Sequence, residues 1–140
     1  MNILIVDDDV SVSRFIKKLF IKWGHSVEIA DSGRDALKKF AKNGFEMVLL
    51  DIFLPDVKGY ELIPKFRKQC PDTSIVAMTG YNTRELELKI RKKGVLFYMS
   101  KPVETGDLKS VVDFISAKNS GNPHQTNDQT NDQIKKITHQ

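Results

Sequence analysis

Short apolar runs alternate along this chain with stretches of helical period. Ile3-Leu-Ile-Val6 is one unbroken apolar run, and Met47-Val-Leu-Leu50 is another. Runs of this length, bounded by turn formers, predict strands buried on both faces. Ser26 to Ala30, Ser74 to Met78 and Val95 to Met99 predict three more. Between the runs the period changes. Val12, Phe15, Ile16, Leu19, Phe20 and Trp23 recur at helical spacing and predict a helix over 10–23, stopped by Gly24. Ser32, with Asp35 three residues on, makes a capping box ahead of Ala36, Leu37, Phe40 and Ala41, and this helix stops near Asn43-Gly44. A third helix over 59–69 presents Leu62, Ile63 and Phe66. Pro64 must lie in its first turn or at a kink, because an interior proline loses a hydrogen bond and clashes with the preceding turn. Asn82 or Thr83 can cap a fourth helix that carries Leu86, Leu88 and Ile90 and ends at Gly94. A fifth, about 106–118, presents Leu108, Val111, Val112 and Ile115.

Strands that alternate with helices predict an α/β fold: a doubly wound, five-stranded parallel sheet with helices on both faces. Right-handed crossovers narrow the topology, and the expected strand order is 2-1-3-4-5, flavodoxin-like. The switch point then lies between the first and third strands, so Asp7, Asp8 and Asp51 face one crevice. Residues 1–118 are read as this domain. Residues 119–140 are read as a polar low-complexity tail or linker, in which Thr126-Asn-Asp-Gln129 is repeated as Thr130-Asn-Asp-Gln133. Such a tract cannot bury enough apolar surface to order itself, and Ile134 and Ile137 offer only one short apolar contact.

The length of 140 residues suits one domain with a real core. The lone Cys70 cannot form an internal disulfide, which is compatible with a reducing compartment. The first apolar run is too short for a signal peptide and no stretch approaches a membrane span, so a cytoplasmic protein without a membrane partner is expected. A net charge of +4 admits an acidic partner. The basic residues are scattered along helix faces, however, and no element reads as a groove-inserting helix, so direct nucleic-acid binding is not expected. His124 and His139 fall in the tail and read as solvated side chains rather than metal ligands.

The chemistry gathers at strand ends. The first strand brings Asp7 and Asp8, the third Asp51, the fourth Thr79 and the fifth Lys101. Three carboxylates in one place repel unless a cation neutralises them, and Mg²⁺, a hard ion with oxygen ligands, suits them best. Asp51 can act as a nucleophile, because aspartate carboxylates form acyl phosphates. Lys101 would hold Asp51 at rest and a phosphate oxygen afterwards, and Thr79 would donate its hydroxyl to another. Catalysis would then rest on positioning and charge neutralisation. Taken singly, each residue has a plainer reading. Asp7 to Asp9 can be the acidic start of a helix, Thr79 a turn residue and Lys101 a surface lysine. Their convergence on one rim is what points to phosphoryl transfer.

The stretch from about Asn2 to Lys118 resembles the receiver domain of two-component response regulators, the CheY-like family. The resemblance rests on Ile3-Leu-Ile-Val-Asp7-Asp8, on Val48-Leu-Leu-Asp51 with Pro55 and Gly59, on Met78-Thr79-Gly80 and on Lys101-Pro102. It implies a switch in which Asp51 accepts a phosphoryl group from a sensor histidine kinase or phosphotransfer protein. It implies Mg²⁺ held by Asp8, Asp51 and the backbone carbonyl of Phe53, with Asp7 acting through water, and a cis Lys101–Pro102 peptide that aims the lysine. It also implies that Thr79 moves toward the phosphate and Tyr98 turns inward as the switch aromatic. The surface of the fourth helix, fifth strand and fifth helix would then be read by a downstream protein or by an output domain outside this chain. No enzyme activity is implied beyond self-catalysed transfer to, and hydrolysis of, the chain's own aspartyl phosphate. A monomer is expected at rest, with dimerisation open to the phosphorylated form. Phe53 and Tyr81 are bulkier than the family usually shows near the path of an attacking water, and Pro64 is unusual in the third helix. Two other readings compete. An Mg²⁺-dependent aspartyl phosphatase would need a second Asp where Phe53 stands. A degenerate receiver, binding partners without phosphorylation, should have lost one of the acidic pair, the nucleophile or the lysine.

Overall fold

The computed structural model describes residues 1–121 together with Ile134 and Ile137. Five strands, β1 (Asn2–Val6), β2 (Ser26–Ala30), β3 (Met47–Asp51), β4 (Ser74–Thr79) and β5 (Phe97–Ser100), form one sheet in the order β2-β1-β3-β4-β5. Every pairing is parallel, so all strands end on the same edge. Five helices connect them: α1 (Val10–Lys22), α2 (Gly33–Lys42), α3 (Ile63–Gln69), α4 (Arg84–Arg91) and α5 (Thr105–Asn119).

The continuous apolar runs are explained by burial on both faces. Ile3 and Ile5 point into a layer with Phe20, Val111 and Ile115 beneath α1 and α5. Leu4 and Val6 point the other way, toward Ala36, Phe40 and Phe66 of α2 and α3. A smaller cluster of Ile52, Ala77, Ile90 and Tyr98 lies under α4. The capping expectations can be read atom by atom. The Asp35 N–H donates to Ser32 Oγ at 3.0 Å and the Leu86 N–H to Thr83 Oγ1 at 3.1 Å. Thr83 is therefore the cap of α4, and Asn82 is free for another task.

Several boundaries differ from the sequence expectation, most by a single residue. The third helix begins late: a 3-10 turn, Gly59–Glu61, precedes α3, and Pro64 sits in the first turn of α3, where its missing N–H costs nothing. β5 starts at Phe97 rather than Val95. The last helix runs on through Asn119. Ile134 and Ile137 are helical and buried, 9% and 3% exposed, in the same cluster as the α1 and α5 core. Their one apolar contact is thus made with the domain. The Thr-Asn-Asp-Gln repeat, His124 and His139 lie outside the described residues. Among the described residues, no helix is long and apolar enough to cross a membrane.

Candidate functional site

The rim where the strands end gathers the predicted residues. β1 runs directly into Asp7, which is buried, and β3 ends on Asp51, also buried, while Asp8 is exposed. One carboxylate oxygen from each of the three lies within 4.8 Å of the others. Lys101, just past β5, reaches across the rim. Its Nζ donates to Asp7 Oδ2 at 2.7 Å and to Asp51 Oδ2 at 2.8 Å. The Lys101–Pro102 peptide is cis. The remaining oxygens are held by backbone. The Asp9 N–H donates to Asp7 Oδ1 at 2.9 Å, and the Phe53 N–H to Asp51 Oδ1 at 3.1 Å.

Burial is the largest influence on Asp51 and pushes its carboxyl above the usual range. Hydrogen bonds from Lys101 and the Phe53 N–H pull it partly back. For Lys101 burial is again the largest single influence and acts downward, but the hydrogen bonds to Asp51 and Asp7 and the negative charges of both together outweigh it, and the net shift is upward. Three carboxylates against one ammonium leave an excess of two negative charges at the rim. A divalent cation with oxygen ligands fits that excess, and the donor set is entirely oxygen.

The loop after β3 is closed on itself. Phe53 and Lys58 form an isolated antiparallel bridge, and the Gly59 N–H donates to Ile52 O at 2.5 Å. The tip of this loop is tied to α2: Asp56 accepts the Gly33 N–H at 2.8 Å and the Arg34 N–H at 2.9 Å. The Phe53 ring stands edge-on to Tyr81, centroids 6.1 Å apart, and Lys58 Nζ lies 4.8 Å from its centre. The two bulky residues therefore touch each other at the lip of the site, with a lysine over one of them.

Thr79 is buried, and its hydroxyl is engaged within its own turn. It donates to Tyr81 O at 3.0 Å and accepts the Tyr81 N–H at 3.1 Å. Tyr98, expected from the sequence to turn inward upon phosphorylation, lies inside in this structure, 5% exposed, and its hydroxyl donates to Asn82 Oδ1 at 2.9 Å, so it is not left unpaired. Asn82 Nδ2 also donates to Ser100 Oγ at 3.2 Å. Sequence reasoning treated Asn82 only as a cap and passed over Asp56 and Lys58. Beside Lys101 a cleft of about 560 Å³ opens between α1 and the start of α5, walled by Val12, Phe15, Ile16, Val103 and Leu108. Phe15 is 57% exposed at its edge.

A doubly wound sheet with an aspartate, an acidic pair, a threonine and a lysine on one rim defines a two-component signalling module. The family model described as response regulator receiver domain matches residues 3–113, and the chain belongs to that family. It is similar to the transcriptional regulatory protein ZraR of Escherichia coli (strain K12), with 30% identity over 113 residues that cover 81% of this chain and 26% of that protein. It is also similar to the DNA-binding transcriptional regulator NtrC of Azospirillum brasilense, with 30% identity over 122 residues, 87% of this chain and 25% of that protein. The chain thus spans about a quarter of the length of these curated relatives. Among solved structures, a CheY-like response regulator receiver domain protein from Methanospirillum hungatei JF-1 superposes with a TM-score of 0.79 at 32% identity, covering 86% of this chain and 97% of that one. A two-component response regulator from Clostridium difficile gives a TM-score of 0.80 at 28% identity, covering 83% and 95%.

Proposed function

We infer that Asp51 is the phosphoacceptor of this receiver. The observation that carries the reading is Asp51 itself: a buried strand-end carboxylate that shares Lys101 with Asp7 and lies within reach of Asp7 and Asp8. Asp8, Asp51 and the Phe53 carbonyl would hold Mg²⁺, with Asp7 acting through water. When bound, the ion would neutralise the excess negative charge and draw charge from the transferring phosphoryl oxygens. The chain's own residues do the rest. Asp51 supplies the attacking oxygen. Lys101 stays within reach of the new phosphate, and Thr79 exchanges its bonds in the turn for one to a phosphate oxygen. Tyr98, coupled to the Thr79 loop through Asn82, carries the change to α4, β5 and α5, where a downstream protein or output domain reads it. The open apolar cleft beside Lys101, with Phe15 at its edge, suits a docking helix of the histidine kinase or phosphotransfer protein that donates the phosphate. The resting form is monomeric.

Intact mass after incubation with phosphoramidate and Mg²⁺ tests this. Wild type should gain one phosphoryl group and Asp51→Asn none. Gain in neither would favour a phosphorylation-independent binding module, and steady turnover of a small phosphate ester would favour a phosphatase.

The aromatic lip makes a second prediction. Phe53 and Tyr81 shield the approach of water to the aspartyl phosphate, so the Phe53→Asn, Tyr81→Ala double variant should lose its phosphate faster. The expected rise is roughly tenfold, equivalent to about 1.4 kcal/mol in barrier height. The time course of mass loss after donor removal measures it, and equal or slower decay would count against a shielding role.

A further inference from the structure

We propose that Asp56 is a positioning residue for the phosphoryl site: it hooks the loop after β3 onto the start of α2 and so fixes the backbone on both sides of Phe53. This inference rests on the reading of Asp51 as phosphoacceptor with Mg²⁺ beside it. Phe53 works through its backbone alone. Its N–H holds Asp51 Oδ1, and its carbonyl is the metal ligand assigned above. The backbone at Phe53, its N–H in one peptide and its carbonyl in the next, would therefore set both the nucleophile and the ion. Only a loop of few residues supports it, and that loop has two anchors.

The first anchor is at its base, where the Phe53–Lys58 bridge and the Gly59 N–H bond to Ile52 O close it. The second is at its tip. Both Asp56 oxygens accept N–H groups of the first turn of α2, one from Gly33 and one from Arg34. These bonds hold the Asp56 carboxyl below the usual range. The adjacent Val57 fills the space beside Gly33, where a Cβ would meet Val57 Cγ2 at 2.3 Å. Ser32 caps the helix through the Asp35 N–H, and Asp56 takes the two first-turn N–H groups that Ser32 leaves free. The two-point grip thus ties one functional loop to a rigid element, which is how outer partners hold a metal ligand in place.

Mg²⁺ titrations followed by amide NMR, on the full chain without phosphodonor, separate a hook from a helix cap and from a plain charge. Asp56→Ala should bind Mg²⁺ about tenfold more weakly, the low end of what an outer partner of a metal ligand is worth, and its Phe53 amide should exchange with solvent faster. Ser32→Ala removes the cap of α2 but not the hook, and should leave Mg²⁺ affinity unchanged. Asp56→Asn drops the charge and keeps one of the two acceptor oxygens, and should recover part of the affinity. Unchanged affinity in Asp56→Ala would overturn the hook, as would an equal loss in Ser32→Ala, or an Asp56→Asn variant as weak as Asp56→Ala. A wild-type chain that binds no Mg²⁺ would overturn the reading of the site as well, which none of the other outcomes does.

Discussion

Lys101→Met should unfold about 2–3 kcal/mol more easily than wild type in the presence of a chelator, below the usual cost of breaking a buried pair because the lysine is partly exposed. Methionine matches the stem of lysine and keeps its packing, so the loss isolates the charge. Without the ammonium, Asp7 and Asp51 are left buried, close together and both negative. Two responses distinguish this cause from damage to the core. Saturating Mg²⁺ should restore much of the deficit, because the same carboxylates gain a counter-ion. Acid should also shrink it. With the lysine gone, the folded-state pKa of Asp51 rises further above its unfolded value, so the folded chain binds the extra proton. Stability is then greatest below the unfolded value and falls as pH rises through the folded one. Urea unfolding of wild type and variant, with chelator and with Mg²⁺, at neutral and at mildly acidic pH, measures all of this. A deficit indifferent to both would place the effect in packing instead.

Gly59→Ala should cost about 3 kcal/mol, the upper part of the range for forcing an extra methyl into a packed site. No unusual dihedral is involved, and space alone decides. A Cβ on Gly59 would lie 2.4 Å from the Asp51 carbonyl oxygen and 2.8 Å from Ile52 Cα. Both are backbone atoms, so neither can swing aside. The loop would have to lift off the end of β3, breaking the Gly59 N–H bond to Ile52 O and disturbing the peptide that orients Asp51. Phosphorylation should therefore slow along with the loss of stability. Gly44→Ala is the matching control, because a Cβ there meets nothing within 4 Å. Equal urea midpoints for the two variants would refute the crowding argument.

The fold was legible where burial alone dictates the residue type. Ile3 to Val6 and Met47 to Leu50 are apolar at every position because both faces of a central parallel strand are covered, and that leaves a mark no turn or surface helix imitates. The acidic and basic rim residues were legible for a related reason: each stands at the abrupt end of such a run. The late start of α3 was not, because the 3-10 turn before it follows from Gly59 fitting under the end of β3, a contact across the loop rather than a local preference. Nor was the position of Tyr98. Its Asn82 partner is sixteen residues away, and the Asp56 contacts with Gly33 and Arg34 span more than twenty. Such pairings between a loop and a distant strand or helix have no period and no fixed spacing. Asn82 and Asp56 both look like ordinary turn residues, and turn residues they also are. Lys58 over Phe53 is a surface lysine until the aromatic ring is placed beneath it.

On the reading of Asp51 as phosphoacceptor, the turn that engages Thr79 would set a threshold for signalling. Its hydroxyl is already satisfied twice, by the carbonyl and the N–H of Tyr81, and giving up each bond costs on the order of 1 kcal/mol. A passing anion that offers one weak acceptor cannot repay that loss. A phosphoryl group covalently fixed on Asp51 can, since it presents several strong acceptors at no cost of encounter. With Asp51 as the phosphoacceptor, the module would be deaf to free phosphate and other small anions at ordinary concentrations, and the same two bonds would draw it back once the aspartyl phosphate is gone.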